Sequence, residues 1–140
     1  MRRQRGFTLP KATIAVEVFT AVALLAHMIV RWPNAEPPKK VAAHAQIQGL
    51  MGALGTYKLD NGTYPTTEQG LAALRAKPAD APKWNGPYLP QEVPKDPWGH
   101  DWVYEFPGDH GNEPDIISYG ADGRPGGDGI NADIVSWEKP

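Results

Sequence analysis

The chain contains no cysteine, so no disulfide can staple it, and a small domain without one needs another staple or partners. Acidic and basic residues nearly balance, with Lys and Arg numbering 14, Asp and Glu 16, and a net charge of -2. No basic patch stands out, which argues against a nucleic-acid partner. His27, His44, His100 and His110 show no zinc spacing. There is no G-x-S-x-G, no P-loop and no arguable nucleophile–base pair, so the chain is not expected to be an enzyme. Ser118 and Ser136 are most simply strand residues. No internal repeat is visible. What is abundant is glycine and proline, 15 of each, concentrated after Tyr57. That predicts a loop-rich C-terminal half with short strands. A length of 140 residues allows one membrane segment and one small domain.

The first thirty or so residues are the most informative. Arg2, Arg3 and Arg5 precede Gly6-Phe7-Thr8-Leu9, and an apolar run from Ala12 to Val30 follows. A helix of about nineteen residues spans roughly 30 Å of hydrocarbon. A secretory signal carries its small-residue cleavage site after the apolar region. Here Arg31-Trp32-Pro33-Asn34 follow the run, and the candidate junction, Gly6-Phe7, lies before it. Cutting there keeps the apolar segment on the mature chain; an uncut junction leaves a plain signal anchor. Cleavage would remove three arginines and bring the net charge from -2 to about -5. The basic head places the N-terminus in the cytoplasm and the remainder in the periplasm. Arg31 and Trp32 suit the far interface, where a long cation snorkels and an indole sits among headgroups. Glu17 and His27 interrupt the apolar run. A charge at that depth costs on the order of 2.5–3.5 kcal/mol, so Glu17 calls for a partner. The layout resembles type IV pilins and the pseudopilins of type II secretion. The resemblance implies that a prepilin peptidase cuts after Gly6 and that Phe7 is then methylated.

Further along, Pro33, Pro37 and Pro38 break or kink the helix. A second helix is predicted from about Lys39 to Lys58. Ile47, Leu50, Met51, Leu54 and Tyr57 share one face of it, the pattern of a core-facing stripe. Gly49, Gly52 and Gly55 each cost roughly 1 kcal/mol against alanine, and would let a sheet or a neighbour approach closely. Asp60-Asn61-Gly62 reads as a turn. Thr66 and Gln69 form a capping box, opening a short helix that ends near Ala76. From Pro78 to Pro97 an irregular loop is expected, anchored by Trp84 and Tyr88. Asp96-Pro97-Trp98-Gly99 reads as a turn packed by an indole. Trp102 to Phe106 alternate as a strand does, and Ile116–Tyr119 and Ile134–Trp137 are two more candidates. The expected fold is α+β: a long N-terminal helix, its first half transmembrane, packed on a small antiparallel sheet.

One loop carries candidate chemistry. Asp122, Asp128, Asn131 and Asp133 crowd together among glycines. Calcium takes six to eight hard oxygen ligands at about 2.3–2.6 Å, some from backbone carbonyls, and glycines let carbonyls turn inward. The order is not that of an EF-hand. The residues alone leave two readings: a calcium loop, or a solvated Asp/Gly turn between strands.

The stretch Tyr57-Lys58-Leu59-Asp60-Asn61-Gly62-Thr63-Tyr64-Pro65-Thr66-Thr67-Glu68-Gln69-Gly70-Leu71 is similar to the G-type major pseudopilins of type II secretion. Tyr88-Leu89, Asp96-Pro97-Trp98-Gly99, Ser118-Tyr119-Gly120-Ala121-Asp122-Gly123, Asn131-Ala132-Asp133-Ile134 and Trp137 extend the likeness. It implies a pilin-like fold in three segments: a cleaved leader 1–6, a transmembrane and assembly helix 7–32, and a periplasmic domain 33–140. It implies a single-pass inner-membrane protein that polymerises with its own copies. Its other partners would be minor pseudopilins, the prepilin peptidase and an inner-membrane assembly platform. The implied task is a pseudopilus that drives folded proteins across the outer membrane, with a minor or regulatory subunit that does not polymerise alone as the alternative. It also implies a calcium ion in the last loop. Asp122 and Asp133 match the acidic ligands, Tyr119 and Arg124 would offer backbone oxygens, and Asp128 and Asn131 complete the candidate set.

The N-terminus departs from that family. The usual start is G-F-T-L-L-E, whereas Pro10 and Lys11 follow Leu9 here. An insertion of Pro10 to Ala15 restores register, with Val16-Glu17 matching the family's Leu-Glu. The family glutamate neutralises the N-terminal amine of a neighbouring subunit, and the insertion moves Glu17 about 9 Å along a helix. Lys11 would repel that amine.

Overall fold

A helix whose apolar residues recur every three to four positions must bury one face. In the computed structural model, which describes residues 38–138, that helix is α1, Pro38–Asn61. Proline is tolerated in its first turn, where the missing N–H has no intrahelical acceptor. Ala43, Ile47, Leu50, Ala53, Leu54 and Tyr57 form its buried face, and Met51 packs at the edge. The helix runs past Lys58 to Asn61, whose Nδ2 bonds back to the Tyr57 carbonyl at 3.0 Å. Gly62 then ends it at φ +86, donating its N–H to the Lys58 carbonyl at 2.7 Å. That is a left-handed C-terminal cap, a conformation glycine adopts without a Cβ penalty. The three helix glycines do not admit the sheet. A Cβ on Gly49, Gly52 or Gly55 would meet nothing within 4 Å, because the helical period turns them away from the Ile47–Leu54 face.

The capping box forms. Thr66 N–H donates to Gln69 Oε1 at 2.9 Å, and Gln69 N–H donates to Thr66 Oγ1 at 3.3 Å. The short helix expected after it forms as a single 3-10 turn that ends two residues before Ala76. Gly70 sits at φ 59, ψ -167, and a short 3-10 helix, Leu71–Leu74, follows. Gly70, at positive φ one residue past the box, keeps the segment from joining into one continuous α-helix. The 3-10 turn still buries Leu71, Ala73 and Leu74.

The proline-rich loop is pinned where its aromatics allow. Trp84 Nε1 donates to the Ala73 carbonyl at 2.8 Å, and Tyr88 Oη donates to Asp60 Oδ2 at 2.9 Å. Tyr88 also packs edge-on against Tyr57 and Trp84, at centroid distances of 5.5 and 5.6 Å. These contacts tie the loop to the C-terminal end of α1.

Three short strands follow: β1 Val103–Glu105, β2 Asp115–Ser118 and β3 Ile134–Val135. They form one antiparallel sheet in the order β1-β2-β3, with Tyr104 opposite Ile116 and Ser118 opposite Ile134. β1 and β3 are shorter than expected, with Trp102 and Phe106 flanking β1 rather than pairing in it, and β2 keeps its expected length but begins one residue earlier. The core lies between α1 and the sheet, with Ile47, Leu54, Leu74, Ile116 and Ile134 fully buried. Tyr104 reaches across it and donates its hydroxyl to the Pro65 carbonyl at 2.8 Å. Burial, then its neighbours Tyr57 and Tyr64, holds that phenol well above the ordinary tyrosine range. The far end of the β1–β2 hairpin is clipped by His110. Its ring stacks on Trp137 at 3.6 Å, and its Nδ1 lies 2.8 Å from Oδ2 of the buried Asp115.

Gly6, Phe7, Glu17 and the apolar segment 7–32 lie outside the described residues. Among the described residues, no helix is long and apolar enough to cross a membrane.

Candidate functional site

The segment joining β2 to β3 folds back on itself. Its two ends touch: Ala121 N–H donates to the Ile130 carbonyl at 3.0 Å. A Cβ on Gly120 would lie 2.8 Å from the Asn131 carbonyl carbon and 2.9 Å from the Ala132 oxygen. A short 3-10 helix, Gly129–Asn131, forms the return, with Asp128 in extended conformation before it. The glycine arm at 126–127 packs against the same return. Gly126 N–H donates to Asp133 Oδ2 at 2.9 Å, and a Cβ on Gly127 would stand 2.8 Å from the Asn131 oxygen.

The candidate ligands divide between these features. Asp133 and Asn131 are half-buried against the glycine arm, and Tyr119 is half-buried where β2 ends. Asp122, Arg124 and Asp128 are exposed. Asp122 Oδ1 accepts the Arg124 N–H at 3.2 Å, closing its own turn. Asp128 contributes its carbonyl to the Asn131 N–H at 3.1 Å.

One atom stands out. Asp133 Oδ1 is buried and has no hydrogen-bond partner. A carboxylate oxygen removed from water without a donor is costly, on the order of 1–3 kcal/mol or more. A hard cation is one way to satisfy it. Among the described residues, no three His, Cys, Asp or Glu side chains cluster as a metal site. Any ion here would therefore draw part of its shell from main-chain oxygens, which calcium accepts and zinc does not. The donor set fits calcium in kind: Asp133, Asp122 and the carbonyls of a glycine-rich loop.

Gly120 is the tightest point of the loop. It combines φ +63 with the close approach of residues 131–132. Gly126 has a similar positive φ of +89 but open space around its Cβ direction. Left-handed backbone costs a non-glycine residue roughly 1–2 kcal/mol. Gly126→Ala is expected to cost about that much, and Gly120→Ala measurably more because backbone must also move. Thermal melts of the two variants check this; equal losses would mean the close approach relaxes freely.

Sequence reasoning missed three residues beside this loop. Asp96 is 4 % exposed, and Ser118, read as a strand residue, is fully buried with its hydroxyl donating to Asp96 Oδ2. His100 Nδ1 lies 3.1 Å from the Gly120 carbonyl. Asp96-Pro97-Trp98-Gly99 reads as a turn, and an aspartate at its head was a usable signal that its carboxylate caps that turn. The Ser118 partner, 22 positions away, left none.

Residues 32–137 match the family described as Type II secretion system (T2SS), protein G. A type II secretion system core protein G from Vibrio cholerae is 43% identical over 142 residues, covering 98% of this chain and 94% of that one. A protein of the same description from Pseudomonas aeruginosa is 39% identical over 142 residues, covering 98% and 97%. Among solved structures, the major pseudopilin from the type 2 secretion system of enterohaemorrhagic Escherichia coli superposes with a TM-score of 0.59 at 38% identity. That match covers 71% of this chain and 86% of the other.

Proposed function

The chain belongs to the type II secretion protein G family, and from that premise we propose that it is a structural subunit of the pseudopilus that drives folded proteins across the outer membrane. The observation that carries this is the likeness of the folded domain, helix on three-stranded sheet, to a major pseudopilin at 38% identity. The protein is a membrane-associated periplasmic one that assembles with other secretion components. It is a member of a structural family, and its work is packing and assembly.

In the fuller reading, the prepilin peptidase cuts between Gly6 and Phe7 and Phe7 is methylated. The segment 7–32 anchors the chain once in the inner membrane, and the domain 33–140 faces the periplasm. On the assembly platform the apolar helices leave the bilayer and bury their stripes against neighbouring copies, with minor pseudopilins alongside. Glu17 supplies the buried charge that a neighbour's N-terminal amine neutralises; an unpaired charge at that depth would oppose assembly. A calcium ion in the 119–133 loop is held by Asp122 and Asp133 with carbonyl oxygens of Tyr119 and Arg124, and Asp128 and Asn131 complete the set. Asp133 Oδ1, buried without a donor, supports this assignment. When bound, the ion supplies a hard positive charge that cross-links loop arms no disulfide can join.

Pro10 and Lys11 favour a second reading, a minor or regulatory subunit that enters filaments but does not form them alone. The deciding experiment is the intact mass of the chain from cells containing its cognate peptidase, followed by imaging of filaments from cells in which it is the sole pseudopilin. A mass beginning at Phe7 together with filaments supports the main reading. The same mass without filaments supports the second, and a full-length mass removes the chain from the processing pathway that assembly requires.

A further inference from the structure

Asp96 lies in an irregular loop, yet its carboxylate is buried. Oδ1 accepts the N–H groups of Trp98 at 3.0 Å and His100 at 2.8 Å. Those two bonds close the turn, together with the Gly99 N–H donated to the Asp96 carbonyl at 2.9 Å. They need only one carboxylate oxygen. The other accepts the hydroxyl of Ser118, at the end of β2, and lies 3.8 Å from His100 Nδ1.

From there the connections converge on a single residue. Ser118 Oγ accepts the Gly120 N–H at 3.3 Å. His100, whose own N–H is held by Asp96, places Nδ1 3.1 Å from the Gly120 carbonyl. Facing a carbonyl, that nitrogen is the donor, which sets the imidazole tautomer. Both polar groups of Gly120 are therefore held by side chains that Asp96 orients. The same imidazole lies against Gly123, at 3.1 Å from where a Cβ would stand. Gly120 and Gly123 flank Ala121-Asp122, and Gly120 follows Tyr119. The buried carboxylate thus governs the main chain that carries Tyr119 and Asp122, from outside the loop.

We propose that Asp96 is a positioning residue for calcium binding, acting through Ser118 and His100 to hold the 119–123 arm against the Asn131–Asp133 arm. The proposal rests on the calcium reading of the loop. Partners behind metal ligands govern affinity because they remove conformations in which the ligands cannot converge. Without the brace, the ion would have to order the arm itself.

The test uses the full chain in detergent micelles, with calcium titrated calorimetrically and backbone hydrogen exchange followed peptide by peptide. Ser118→Ala removes the bridge, and is expected to weaken calcium binding about tenfold. Exchange at residues 119–123 should quicken several-fold, while α1 exchanges as before. His100→Ala, at a partly exposed position, is the second variant and keeps the test decisive if Ser118→Ala fails to fold. It should loosen the same arm and weaken binding in the same sense. Asp96→Asn, which retains the acceptor for Trp98 and His100, should fall between the unmutated chain and Ser118→Ala. Unchanged affinity and unchanged exchange at 119–123 in the folded variants would overturn the proposal. If the unmutated chain binds no calcium, the calcium reading fails and this role in metal binding fails with it. Faster exchange at 119–123 in the variants would then identify Asp96 as a brace of the loop backbone alone.

Discussion

Removing calcium from the full chain in detergent is expected to lower the melting temperature of its folded domain, and Asp133→Asn to abolish most of that response. A ligand that binds only the native state stabilises it by about 2.7 kcal/mol when present at one hundred times its dissociation constant. For a domain of roughly one hundred residues that corresponds to about 10–20 °C. The asparagine variant keeps an oxygen for the Gly126 N–H now bound at 2.9 Å, but lacks the full carboxylate charge. It also relieves the burial of Oδ1 as an unpartnered charged oxygen. Its melt in chelator should therefore match or exceed that of the unmutated chain in chelator, whereas its gain from added calcium should be small. Asp133→Ala loses the Gly126 acceptor as well and should melt lower than either in chelator. Tryptophan fluorescence during heating, with calcium and with chelator, measures all three. An unmutated chain whose melt ignores chelator would leave the loop as a solvated Asp/Gly turn and take calcium out of the account.

Leu54→Ala should produce a loss of similar size with no calcium dependence. Leu54 is fully buried at the centre of the core, with Ile47, Leu74, Ile116 and Ile134 in the same cluster. Truncating a leucine there forfeits its transfer free energy and leaves a cavity, together about 2–5 kcal/mol. Small domains hold only roughly 5–15 kcal/mol in all, and no disulfide limits the unfolded chain here. The melting temperature should drop by at least about 10 °C. Leu59→Ala is the matched control: the same chemistry, in the same helix, at 85% exposure. It should change stability by no more than about 0.5 kcal/mol. Equal losses at the two positions would mean that α1 does not pack on the sheet as described.

The contrast between those two leucines was readable from the sequence. The stripe Ile47, Leu50, Leu54 and Tyr57 identified the buried face, and Leu59 falls off it. The stop near Asp60-Asn61-Gly62 was legible as a turn, but the helix runs three residues past the expected Lys58 before Gly62 takes the left-handed cap that glycine adopts cheaply. The capping box at Thr66 and Gln69 was legible too, and so was a short helix after it, but not that it would be a 3-10 turn. A box satisfies the first N–H groups of a helix without fixing its length or type, and Gly70 interrupts the α-helical run. The helix glycines misled in the opposite way. Glycine permits close approach, but whether anything approaches depends on which side faces the sheet. The aromatic alternation found the strands, while their ends were set by where pairing with the neighbour stopped.

The sequence by itself determined the family, the helix with its buried stripe, the sheet's three candidates and the acidic loop between the last two. Each follows from patterns a few residues long, because helical and strand periods, caps and turns are local physics. Tertiary structure alone decided which polar groups went inside. Asp96 reads only as the start of a turn and nothing in the sequence sets Asp115 apart, yet both are 4 % exposed. A carboxylate can be buried only where donors converge on it. The hydroxyl of Ser118 comes to Asp96 from another segment of the chain. The His110 ring that meets Asp115 is itself placed by Trp137. That convergence exists only once the sheet has brought those segments together.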